Sequence, residues 1–316
     1  MSTVISIVVS ATILAGPLII AALGGLFSER SGVVNIALEG IMQIGAFAAA
    51  ASLVLMQEAN IPGAVWISIL IAIVCGILFS TMLGVSAIHL RADQTIAGTA
   101  MNVLAGGLTV YMSEILFGAK STRSFVFALN RVSVPFLKDI PIIGPMFFSS
   151  LYPTTYIAFF LVIITWYVVF KTPFGLRLRS CGEFPQASAS MGINVVKMRW
   201  IAVLTSGALG GLAGAALVLS TNTYYYAGTV HGLGFVAIAT LIFGKWNPWG
   251  VLMSGMFFGF SQVLGQYSTS IPFLSGIPSE IFKLFPYVVT ILAIVFFSKK
   301  QVGPKASGQI YDAGKR

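Results

Sequence analysis

Seven stretches of this 316-residue chain carry no Asp, Glu, Lys or Arg: 1–28, 40–57, 59–90, 94–113, 140–170, 200–244 and 246–279. Runs of that length without charge decide the fold class before any motif is read. A helix needs about 20 mostly apolar residues to cross the hydrocarbon of a bilayer. Backbone groups in lipid must be satisfied within the protein, which only helices and closed barrels achieve. A barrel would display ~10-residue segments of alternating polarity with turn residues between them, and the sequence has none. It therefore predicts an all-α polytopic membrane protein. Composition agrees: 9% of residues are charged, against about 25% in soluble domains. That balance excludes a soluble enzyme, a disordered chain and a coiled coil.

Nine apolar segments stand out, at about 4–27, 33–56, 65–89, 95–117, 153–171, 201–221, 232–245, 249–266 and 284–298. The expected count is about 9 transmembrane helices, with a range of 8–10. Segment 232–245 is short, and 33–56 is broken by glycines and polar residues, so either could be a half-helix or re-entrant element. With the N-terminus outside and nine crossings, thirteen of the 18 Lys and Arg residues fall inside. The other five are Lys120, Arg123, Arg131, Lys138 and Lys283. This is the positive-inside bias, and it explains the net charge of +9 without nucleic acid. Residues 1–298 then form one transmembrane domain, with an irregular outer excursion at 118–152 and a cytoplasmic loop at 172–200. Residues 299–316 form a short basic cytoplasmic tail, expected to be mobile. The first 28 residues lack the basic start of a secretory signal, so they are expected to be a retained span. No internal repeat is evident.

The chain offers no enzymatic constellation. A phosphate-cradling loop requires G-x-x-x-x-G-K-[ST], whereas Lys245 is followed by Trp246 and position 239 is Ala. His89 and His231 lie far apart, and Cys75 and Cys181 show neither metal nor disulfide spacing. No cofactor is expected. Polar residues inside the spans are the remaining handle, because such groups usually face a cavity or a partner helix. Asn35, Glu39 and Gln43 recur at i, i+4, i+8 and share one helix face. Asn102, Glu114, Asn222 and Gln262 are further candidates. Two roles are open to them: the lining of a substrate pathway, or polar helix–helix contacts. Neutral amides suit a nucleoside or a sugar. Gly207, Gly211 and Ala215 form a small-residue face for close helix packing. Tyr224–Tyr226, Trp246 and Trp249 fit interfacial belts, with substrate stacking as the second reading.

The cytoplasmic loop is the most informative stretch. Gly182 and Pro185 fit a helix start, residues 187–190 read Ala-Ser-Ala-Ser, and Gly192 fits a C-terminal cap. A short helix with small side chains is suited to a groove in a partner, and it lacks the apolar face needed to lie on lipid.

This loop resembles the Glu-Ala-Ala/Gly signature by which membrane subunits of ATP-binding-cassette importers dock their ATPases, in its branched-chain-amino-acid and ribose form. Four more stretches resemble the same permease family: Glu29–Gly40 (ERSGVVNIALEG), Ala92–Asn102 (ADQTIAGTAMN), Gly232–Gly250 (GLGFVAIATLIFGKWNPWG) and Phe285–Thr290 (FPYVVT). The first and third look closest to permeases of nucleoside importers, and sugar permeases share much of them. One departure is Phe184, where relatives commonly have Asn.

The resemblance implies a permease subunit of the bacterial plasma membrane, moving nucleosides or else simple sugars by alternating access. It implies Glu183, Ala187, Ser188 and Gly192 as the ATPase-coupling residues. Asn35, Glu39, Gln43, Asn102 and Asn222 are the expected substrate-pathway residues. The implied partners are a cytoplasmic ATPase that binds the ATP, a second permease (similar or identical), an extracytoplasmic binding protein and the bilayer. An ion-coupled secondary transporter is the rival from another class, with Glu39 and Glu114 as its only acids.

Overall fold

The computed structural model describes residues 2–126, 128–135, 138, 143–147, 149–267, 281 and 303–312. Eleven helices run through them: α1 Ser2–Arg30, α2 Leu38–Glu58, α3 Ala64–Gly84, α4 Gln94–Phe117, α5 Ile143–Phe147, α6 Pro153–Lys171, α7 Pro173–Glu183, α8 Pro185–Ser190, α9 Val195–Thr221, α10 Leu233–Phe243 and α11 Pro248–Tyr267. A π-turn, Val85–His89, extends α3. The described residues contain isolated β-bridges but no strand. Among the described residues, six helices are long and apolar enough to cross a membrane: α1, α2, α3 with its π-turn, α4, α6 and α9. The apolar segment 284–298 and the Phe285–Thr290 stretch lie outside the described residues.

The bundle is built around α9, which is buried along most of its length and packs on α1, α2 and α3. Glycines permit this. A Cβ on Gly207 or Gly211 would run into α3 at Ser80 or Ala72, and one on Gly214 would run into Met42 of α2. Dispersion between closely approaching backbones is the main attraction left to helices in lipid. The expected small-residue face is thus real, and it is wider than the 207–211–215 row. By contrast, α3, α4 and α6 turn exposed Leu70, Leu78, Val103 and Phe160 outward, as lipid-facing helices should.

Two crossings are broken. After Arg30 the chain rises without helix through 31–37 before α2 begins at Leu38, five residues later than the apolar pattern suggests. Asn35 reaches Ser206, eleven residues into α9, which is roughly 16 Å from that end at 1.5 Å per residue. Irregular backbone at such depth must be satisfied by protein. Val34 N–H donates to Gln94 Oε1 (2.7 Å), Ser28 Oγ donates to the Val33 carbonyl (2.7 Å), and Asn102 Nδ2 donates to the Ile36 carbonyl (2.9 Å). In the other break, α9 ends at Thr221, residues 222–232 descend without helix, and α10 completes the passage in 11 residues. The short segment 232–245 is therefore a half-helix. At its head, 121–125 pairs with 223–226: Thr122 N–H donates to the Tyr225 carbonyl (3.0 Å), and Phe125 N–H to the Thr223 carbonyl (2.9 Å).

The tail does not hang free over 303–312. Ala306 N–H donates to the Gly182 carbonyl (2.8 Å), and Gly308 N–H to the Gly32 carbonyl (3.2 Å). Asp312 pairs with Arg91 at 3.2 Å. Tyr311 lies under the guanidinium of the buried Arg199. This segment straps α7, the 31–37 break and α9 together, which corrects the expectation of a mobile tail for these residues. Backbone N–H groups hold much of it, and they leave no trace in residue type.

Candidate functional site

The two breaks meet at Glu39. Its carboxylate, in the first turn of α2, faces the start of α10. Oε1 accepts from Gly232 N–H at 2.9 Å, and Oε2 from Gly234 N–H at 2.7 Å. An anion there meets orphan amides and the positive end of the helix dipole. Gly232 adopts a φ of 80°, a conformation open to glycine at little cost. Any side chain on Gly234 would strike the Glu39 backbone.

Asn102 of α4 holds the other side. Its Oδ1 accepts from Gly40 N–H at 2.8 Å while its Nδ2 serves Ile36. Asn35 Nδ2 donates to Ser206 Oγ at 2.7 Å. Gln43 sits one turn above Glu39, its Oε1 buried without a hydrogen-bond partner near Gly106. Four expected pathway residues thus gather at the α2 start, where Asn35, Glu39 and Asn102 are engaged in holding broken backbone. Glu114 is exposed on α4.

Asn222 lies elsewhere. It lines a cavity of about 800 Å³ between α1, α9, the descending 222–232 segment, α10 and α11, at the end of the bundle opposite the tail strap. Thr221, Tyr226, Thr229, His231 and Gln262 line it with Asn222, and Leu233 and Val236 of α10 form its apolar inner wall. Small-molecule sites usually span about 300–1,000 Å³. Among the described lining residues Arg131 is the single formal charge. Tyr226 is held in a turn, its N–H donating to Thr229 Oγ1 (3.0 Å) and its carbonyl accepting from Thr229 N–H (2.8 Å). Its ring meets His231 edge-on at 5.7 Å, with Tyr224 behind it at 5.8 Å. Tyr226, Thr229 and His231 were not among the expected site residues. Their signal was an aromatic run followed by Gly228 and Gly232 in a stretch too polar to be a span interior.

Tyr225 corrects the belt assignment. It is fully buried, and its hydroxyl donates to Thr109 Oγ1 at 2.9 Å. Trp246 is likewise tied down, its Nε1 donating to Glu29 Oε2 at 2.6 Å.

At the basic end, Pro173–Glu183 and Pro185–Ser190 form two short helices joined at Phe184. Pro occupies the first turn of each, where its missing N–H costs nothing. Gly192 follows with a φ of 80° and open space around it. Glu183, Phe184, Ala187, Ser190 and Met191 are exposed. Ser188 points inward, its hydroxyl donating to the Phe184 carbonyl at 3.1 Å. Buried Cys181 lies beneath, and burial raises its thiol pKa despite the Arg199 charge.

Comparisons of the sequence with known proteins give its family. Residues 7–294 match the family described as branched-chain amino acid transport system / permease component. The guanosine ABC transporter permease protein NupQ of Bacillus subtilis is 44% identical over 314 residues, covering 99% of this chain and 98% of the relative. The nucleoside ABC transporter permease protein NupC of Lactococcus lactis is 41% identical, over 96% of each chain. The glucose ABC transporter permease protein TsgB13 of Haloferax volcanii is 26% identical, over 91% of this chain and 76% of the relative.

Proposed function

The chain belongs to the permease-component family of branched-chain amino acid transport systems, as a multi-pass membrane transport subunit and not an enzyme, and on that premise we propose that it moves nucleosides in an ATP-binding-cassette importer. The observation that carries this reading is the 44% and 41% identity, over nearly the whole chain, to permeases named for guanosine and nucleosides. Relatives named for glucose stand further off, at 28% and 26%, and they keep a simple sugar as the second reading.

In this reading the chain sits in the plasma membrane with its basic end in the cytoplasm and crosses about nine times. The ninth crossing rests on segment 284–298, outside the described residues. ATP is bound by a separate chain. The exposed face of the α7–α8 corner, with Glu183, Phe184, Ala187 and Met191, enters a groove of that ATPase. Ser188 and Gly192 set the corner's shape. A second permease, similar or identical, completes the pathway, and an external binding protein docks on the outer end, including part of 118–152. Asn35, Glu39, Gln43 and Asn102 form the junction of the two broken crossings, beside the path of the solute. An ion-coupled mechanism is disfavoured because the Glu39 carboxylate is already engaged by two amides.

The test is competition in whole cells expressing the permease with its ATPase and binding protein. Unlabelled nucleosides should abolish accumulation of labelled guanosine, and ribose and glucose should not. Equal competition by ribose would transfer the assignment to sugars.

A further inference from the structure

We propose that the outer cavity is a nucleoside-loading site in which Tyr226 stacks the base and Asn222 and Gln262 bond its polar edge; this rests on the nucleoside reading above. Three observations support it. The first is the solute class the walls admit. The cavity of about 800 Å³ offers Arg131 as its one formal charge and no acidic side chain among the described lining residues. A zwitterionic amino acid would leave its ammonium group without a partner there, and desolvating an unpaired charge is costly. A neutral solute rich in donors and acceptors has no such penalty.

The second observation is a prepared aromatic face. The Tyr226–Thr229 turn, with its two hydrogen bonds, fixes the backbone behind the ring. Gly228 leaves room for it: a Cβ there would lie 2.7 Å from Tyr226 Cε2 and 3.5 Å from His231 Cε1. His231, which closes against the ring, is held at a φ of 49°. Non-glycine residues rarely occupy this region, and such strain concentrates at functional positions. Aromatic stacking tolerates any base, because every base presents a π-face.

The third observation is placement. The inner wall is Leu233 and Val236 in the first turns of α10, where Glu39 holds the amides of Gly232 and Gly234. A solute in the cavity therefore rests on the head of the broken crossing.

The experiment uses the complete importer in proteoliposomes, with wild type, Tyr226→Phe and Tyr226→Leu. Tyr226→Phe should transport guanosine like wild type. Tyr226→Leu should lose about tenfold at subsaturating substrate, as expected for one lost stacking partner. Its ATP hydrolysis stimulated by loaded binding protein should stay unchanged. In a second arm, Gln262→Cys is made with Cys75 and Cys181 replaced by Ser. Guanosine should slow labelling of the new thiol by an impermeant maleimide, and ribose should not. Unchanged uptake by Tyr226→Leu, parallel loss of its stimulated ATPase, or labelling indifferent to guanosine would each overturn the proposal. A wild-type importer that moves no nucleoside would instead overturn the reading on which it rests.

Discussion

Replacing Glu39 separates a structural latch from a solute contact. Its carboxylate is buried and accepts two N–H bonds, at 2.9 and 2.7 Å, from the head of α10. Glu39→Ala leaves both amides without a protein partner, the Gly234 one buried and the Gly232 one partly buried. Each unsatisfied buried group costs about 1–3 kcal/mol, so the pair should cost about 2–6 kcal/mol. The lower half of that range is expected, because the Gly232 amide is only partly buried and keeps access to water. Glu39→Gln keeps one acceptor oxygen and turns an amide donor toward the other N–H, so it should lose roughly half as much. In a thermal melt of detergent-solubilised protein, followed by size exclusion, Glu39→Ala should melt on the order of 10 °C below wild type. Glu39→Gln should fall between the two. A Glu39→Ala protein that melts with wild type yet fails to transport would refute the latch and return Glu39 to the solute pathway.

Other outcomes follow from the same geometry. Gly211→Leu should abolish folded, monodisperse protein, because even a Cβ there strikes Ala72 of α3; a well-behaved variant would contradict the close-packed α9 core. At the cytoplasmic corner, Ala187→Trp should reduce ATPase co-purification about tenfold, since overpacking costs about 1–3 kcal/mol, and should leave the melt unchanged. Ser188→Trp, aimed inward, should lower the melting temperature instead.

The spans were legible because a bilayer imposes one simple demand on composition, and eight of the nine apolar segments coincide with described helices. The 31–37 break was partly hidden, because Val33, Val34, Ile36 and Ala37 are as apolar as the helix they precede. What breaks the helix is its set of partners, Gln94 and Asn102, more than 55 residues away. Glu39 was singled out by its charge, but its acceptor role was not, since Gly232 and Gly234 offer only backbone amides. The same holds for the strap, where Ala306 and Gly308 bind through N–H groups that every residue but proline possesses. Chain order marked α8, because Pro185 and Gly192 act locally, but it gave no sign of α7 and put Gly182 at a helix start, whereas Gly182 lies inside α7. It could not say that Ser188 turns inward, which depends on what lies beneath.

The most direct test of the importer assignment is the energy source in a purified system. The permease, its ATPase and its binding protein are placed in proteoliposomes, and labelled guanosine is supplied on the binding-protein side. Accumulation should require ATP on the ATPase side and persist when a protonophore and a sodium ionophore collapse every ion gradient. Accumulation without ATP that vanishes with the gradients would contradict the assignment and make the chain an ion-coupled carrier.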